Sequence, residues 1–152
     1  MAKRGRVEQL NRILHHEMEA SATYDELLGE PAKSSSLWDL YQIGIDHRQA
    51  VGELRSEITQ LGGDPETEGG SRHYWPPLPE ESKTLRLNEN PRLLSALQQG
   101  ELLEIEECRK VLNNGNLRDE ARDLLERHLL PNLLGHVRTL SGYLKASHHH
   151  HP

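Results

Sequence analysis

Glu17, His47, Glu101 and His136 occupy positions that an amphipathic helix normally gives to aliphatic side chains. One stripe runs Leu10, Leu14, Glu17, Ser21, Tyr24, Leu28 and a second runs Leu40, Ile43, His47, Val51, Leu54, Ile58, Leu61. A third runs Leu94, Leu97, Glu101, Ile105, Cys108, Leu112, and a fourth runs Leu125, Leu129, Leu133, His136, Leu140, Tyr143. Steps of three and four residues mark one face of a helix with 3.6 residues per turn. A carboxylate on such a face must meet a cation, a metal ion or hydrogen-bond donors, or else give up its charge. Two carboxylates and two imidazoles at similar depth allow two chemistries. They satisfy one another as a metal-free polar network, or they hold a metal.

Four helices are needed to bring these residues together. The periodicity predicts a first helix from about Arg6 to Leu28, stopped by Gly29 and Pro31. A second starts after Lys33-Ser34-Ser35-Ser36, with Ser36 and Asp39 as a capping pair, and ends at Leu61 before Gly62-Gly63-Asp64-Pro65. Residues 63–89 lose periodicity and carry Gly69-Gly70, Pro76-Pro77 and Pro79. A stretch this long is expected to be a crossover that travels the length of a bundle of roughly 35 Å. Within it, His73, Tyr74 and Trp75 read as a plug that pins the crossover, with a partner or ligand surface as the alternative. Asn90 and Pro91 supply an N-cap and first position for a third helix, which ends near Asn113-Asn114-Gly115. Asn116 is expected to cap a fourth helix reaching about Lys145, with a kink at Pro131.

Composition narrows the function classes. The chain has 152 residues, enough for one domain with one core, and a net charge of −6, which argues against a nucleic-acid partner. Lys3, Arg4 and Arg6 form a short basic cluster that reads as a solvated end. Cys108 is the single cysteine, so no intrachain disulfide forms and nothing points to an oxidising compartment. No apolar run of membrane-spanning length and no signal core occur, so a cytoplasmic location is expected. Without Phe the core must be aliphatic, which favours helices over a sheet. A bundle domain of residues 1–146 is expected, followed by a His-rich tail, 147–152, that binds transition metals on its own. No nucleophile elbow and no phosphate loop are present.

The helices also repeat. Glu17, Leu10, Tyr24 and Leu28 fall on Glu101, Leu94, Cys108 and Leu112 at an offset of 84, and His47, Leu40 and Val51 fall on His136, Leu129 and Leu140 at an offset of 89. The chain thus reads as two helical hairpins, each bringing one Glu and one His to the core. This pattern, with Glu17 and Tyr24 seven residues apart on the first helix, resembles the ferritin-like four-helix bundle of ferritins and rubrerythrins. More narrowly, residues 5–145 resemble a bacterial family of ferritin-like proteins of unknown function. The supporting stretches are Val7-Glu8-Gln9-Leu10-Asn11, Leu61-Gly62-Gly63-Asp64-Pro65 and Glu120-Ala121-Arg122-Asp123-Leu124-Leu125-Glu126-Arg127-His128.

The resemblance implies the fold and only hints at a role. Di-iron bundles of that class take a Glu from each of two helices and Glu-x-x-His from the other two. Here Glu17, Glu101, His47 and His136 match that pattern, but Gly44 and Leu133 stand where two further Glu are needed. A dinuclear oxidase site is therefore not expected. What remains is a mononuclear Glu2His2 site for Fe, Mn or Zn, with Tyr24 and Cys108 as its neighbours. Asp46, Glu53 and Glu57 are expected to point off the stripe, and His15 with Glu19 to form a surface pair. Cys108 reads as a small buried hydrophobe. The leading expectation for function is a non-catalytic structural or stress-related bundle with a Glu/His polar core. The alternatives are a metal-binding protein with redox or peroxide chemistry and a partner-binding module using the crossover around Trp75. The outer helix faces leave room for a homodimer.

Overall fold

The computed structural model describes residues 2–28, 37–67, 74–79 and 89–149. Among them the chain is all-α, with four helices and no strand. Helix α1 is Ala2–Leu28, α2 is Trp38–Gln60 and α3 is Pro91–Asn113. The fourth helix, α4, is continuous over 119–149. It comprises Asp119–Asp123, a π-helical stretch Leu124–Leu129 and Leu130–His149. No described helix is long and apolar enough to cross a membrane.

Local signals explain the start of α3 and the end of α2. Asn90 is extended and its side chain accepts from the Leu93 N–H, with Pro91 in the first turn, as the sequence predicts. Helix α2 ends in a Schellman turn. Gly62, at φ 80°, donates to the Thr59 carbonyl, and Gly63 donates to that of Ile58. Gly63 is also held close to α1, where an added Cβ would fall 2.7 Å from Val7.

Other boundaries differ from expectation. Helix α1 begins at Ala2 rather than near Arg6 and takes in the basic cluster; Arg4 is exposed and pairs with Glu8. Leu37 stands at the N-cap of α2 without a side-chain cap, and Ser36, Gly29 and Pro31 lie outside the described residues. Arg118, not Asn116, precedes α4, and Asp119 carries a φ of 38°, a region that Asp tolerates better than most residues. The disturbance expected at Pro131 takes the form of the π-helical stretch immediately before it. Proline cannot donate to the carbonyl four residues back, and a wider turn absorbs the mismatch. Helix α4 also continues past Lys145 to His149, with Ser147 buried.

Helix packing follows from these elements. Asn11 bonds with Asp64 and Glu66, and Tyr41 with the Leu28 carbonyl, so α1 and α2 are antiparallel. Gln98 reaches Ser141 and Val137, which pairs α3 with α4 in the same sense. Tyr24 meets Glu101 and Arg12 meets Glu107, while Asp46 meets His136, so the two hairpins face each other through α1 with α3 and α2 with α4. Helices α2 and α3 therefore run in the same direction, and the chain between them has to travel from one end of the bundle to the other.

Two aliphatic layers result. One contains Leu10, Leu14, Leu54, Ile58, Ile105, Cys108, Leu125 and Leu133. The other contains Tyr24, Leu40, Ile43, Trp75, Leu94, Leu97 and Leu140. Each fully buried Leu or Ile contributes about 1.5–3 kcal/mol, and these layers carry the fold. The four polar residues lie between them.

Candidate metal centre

Each of the four predicted residues is buried, and the structure brings all of them together. Glu17 on α1, His47 on α2, Glu101 on α3 and His136 on α4 are at most 5 % exposed. His47 donates from Nδ1 to Glu17 Oε2 and from Nε2 to Glu101 Oε2, both at 2.7 Å. His136 donates from Nδ1 to Glu101 Oε1 at 2.8 Å. The Tyr24 hydroxyl donates to Glu101 Oε2 at 2.9 Å. Glu101 is thus the hub, reached from all three other helices.

Two further acids complete the group, and the sequence reading did not place them there. Asp46 was expected to point away from the stripe; instead its Oδ2 lies 2.8 Å from His136 Nε2. The reason is the edge position of His136, whose far ring nitrogen turns toward α2 rather than into the core. Asp46 Oδ1 is steadied by Gln42, one turn earlier, at 3.1 Å. Glu104 was not singled out at all. It follows Glu101 by three residues, the spacing that places two side chains on one helix face, and that spacing was the signal available. Glu104 is fully buried, and neither of its carboxylate oxygens has a hydrogen-bond partner among the described residues.

The electrostatics follow from burial and pairing. Burial raises the Glu17 carboxyl above its ordinary range, against the opposing pull of His47. Burial works the same way on Glu101, yet His47 and His136 overcome it and hold this carboxyl down at about 2. Burial disfavours a charged His47, but Glu101 and Glu17 keep it protonated well above the usual imidazole range. His136 is likewise raised, with Asp46 and Glu101 outweighing burial. Asp46 is lowered, because its bonds from His136 and Gln42 exceed the effect of its partial burial. Burial, followed by the charge and hydrogen bond of Glu101, pushes the Tyr24 phenol up.

The positions left without a carboxylate have local explanations. A Cβ at Gly44 would come within 3.2 Å of the Tyr24 Cβ, so Tyr24 occupies the space a longer side chain would need. Leu133 belongs to the aliphatic layer. Cys108 lies in the same layer, and burial together with the charge of Glu17 raises its thiol.

The crossover covers the centre. Trp75 is buried, with its ring perpendicular to those of Tyr24 and His47 at 5.9 and 5.8 Å. Gly100 makes this possible, since a Cβ there would fall 2.3 Å from the indole. The Tyr74 and Trp75 N–H groups donate to the Glu19 carboxylate, and the Tyr74 ring stacks on His16 at 4.1 Å. Burial and the neighbouring His15 hold His16 down at about 4. His15 pairs with Glu66 and Glu19, but it is buried and not the surface residue expected. Tyr74 and Trp75 thus act as the expected plug, while His73 lies outside the described residues.

Two groups of donors converge closely enough to hold an ion. In one, atoms of His47, Glu101 and His136 lie within 4.8 Å of one another; in the other, so do atoms of Glu17, His47 and Glu104. All five residues are buried. No family model, no curated protein and no solved structure matches this chain.

Proposed function

We propose that this protein is a metal-binding ferritin-like bundle whose centre is built from Glu17, His47, Glu101 and His136. The observation that carries this reading is the convergence of atoms of His47, Glu101 and His136 within 4.8 Å of one another, with the donorless carboxylate of Glu104 close by. A fully buried carboxylate without a donor costs several kcal/mol unless a cation compensates it. The metal-free alternative, a structural polar core, accounts well for the chain Glu17–His47–Glu101–His136–Asp46 but leaves Glu104 unexplained. The acids also outnumber the bases. Glu17, Glu101, Glu104 and Asp46 face only two imidazoles, an excess of buried acid that favours a divalent cation.

Imidazole and carboxylate donors together suit Zn, Fe or Mn. His47, Glu101 and His136 would hold the ion, and an Fe or Mn ion there would supply redox chemistry with oxygen or peroxide. The rest falls to the chain. Asp46 orients His136 by accepting from Nε2, which leaves Nδ1 as the nitrogen turned to the centre. Tyr24 fixes one oxygen of Glu101. Trp75 and the two aliphatic layers exclude water. The antiparallel hairpins and the crossover between two parallel helices support the ferritin-like assignment.

Elemental mass spectrometry tests this reading. The full chain with His148, His149, His150 and His151 replaced by Ser, grown with added iron, manganese and zinc, should carry at least one ion per chain. The ion should be absent in a His47→Ala, His136→Ala variant. Metal retained by that double variant, or none in its parent, would return the centre to a structural role.

A further inference from the structure

Building on the metal-binding reading, we infer that the core has two cation positions, one on each side of the His47 ring. The Nε2 side is formed by Glu101 and His136, and the Nδ1 side by Glu17 and Glu104. His47 is common to both converging groups. Its two nitrogens face different carboxylates at the same distance of 2.7 Å, Glu17 on one side and Glu101 on the other. The second position is the one that gives Glu104 a partner.

Charge points the same way. His47 is a single cation donor placed between Glu17 and Glu101, so it cannot also neutralise Glu104. One ion on the Nε2 side leaves Glu17 and Glu104 as two buried carboxylates with oxygens within 4.8 Å of each other and no cation between them. A second divalent ion between them supplies that cation, and two such ions offset the four acids, leaving only the single negative charge of the bridging His47 ring.

The arrangement differs from a carboxylate-bridged pair. The second carboxylate comes from α3, one turn beyond Glu101, while α2 and α4 offer Gly44 and Leu133 at the positions that would otherwise supply it. An imidazole stands between the two positions. A ring that gives both nitrogens carries no N–H proton, so the ion must bind imidazole strongly. Zn2+ meets that requirement, and Mg2+ and Ca2+ do not.

Equilibrium dialysis against Zn2+ tests the inference, using the full chain with the four tail histidines replaced by Ser. Two Zn2+ per chain are expected, falling to one in Glu104→Gln and to one in Glu17→Gln. Circular dichroism of each variant confirms that the helices are intact. One Zn2+ per chain, or two in both the parent and Glu104→Gln, overturns the second position and leaves the metal-binding reading standing. No bound Zn2+ overturns the second position, and the iron, manganese and zinc content measured by mass spectrometry then decides the metal-binding reading.

Discussion

Asp46 and His136 come from opposite hairpins and meet at 2.8 Å, and this contact is where the buried charge network reaches the surface. The Asp46 side chain is 21 % exposed, whereas that of Glu101 is wholly buried. Every other member of the network is inside. Asp46 thus connects the core to solvent and fixes the orientation of an imidazole on the neighbouring hairpin.

The first prediction concerns that imidazole. Burial alone would lower the His136 pKa, but Asp46 and Glu101 raise it above 6.5. A folded-state pKa above the unfolded value gives stability that is complete below 6.5 and lost as pH rises through the folded pKa. The metal-free protein should therefore weaken on going from slightly acidic to alkaline pH. Asp46→Asn should move the His136 titration down toward the ordinary value and flatten that part of the profile. Imidazole resonances followed by NMR, with melts over the same pH range, check both statements.

A second prediction contrasts the two core glutamates. Glu101 is held at about 2, so its contribution is present above the unfolded value of 4.5 and lost as pH falls toward 2. Glu17 is raised, so it weakens the fold as pH rises above 4.5. At neutral pH, Glu101→Gln removes the charge facing two buried imidazoles and should cost about 3–5 kcal/mol. Glu17→Gln should cost clearly less in the metal-free protein, because the amide oxygen still accepts from His47. Urea melts of the two variants rank them; equal losses would contradict the assignment of Glu101 as the hub.

The third prediction tests the cover. Gly100→Ala puts a methyl group 2.3 Å from the Trp75 ring, a contact that the indole must give way to. Overpacking of this kind costs about 1–3 kcal/mol. Because Trp38 is 55 % exposed and Trp75 is buried, a Trp38→Phe background isolates the emission of Trp75. Gly100→Ala should then shift that emission to the red. An unchanged spectrum would mean that the indole is not seated on Gly100.

Much of the frame was readable because its determinants are local. Aliphatic stripes at steps of three and four, Asn90-Pro91 and Gly62-Gly63 each act within a few residues, and the helices they mark are present. The four central residues were readable for the same reason: a charged side chain on an apolar stripe has to be explained by what faces it. Asp46 and Glu104 were harder. Angles about a single helix axis put Asp46 off the stripe, and it joins the network because His136 on another helix turns toward it. Glu104 sits one turn from Glu101 on the buried face of α3, which also takes in Gly100 and Val111, so the stripe is wider than its apolar members suggest. His15 was misplaced because the crossover that covers it through Tyr74 and Glu66 has no periodicity of its own.

A crystal structure of the Zn2+-loaded protein, with data collected at the zinc absorption edge, decides whether the buried Glu/His centre holds a metal. Anomalous density is expected inside the bundle, about 2.0–2.2 Å from a Glu101 oxygen and His136 Nδ1. Saturating Zn2+ with anomalous density only at the surface or on the tail histidines, and none between Glu101, His47 and His136, would contradict the metal-binding reading.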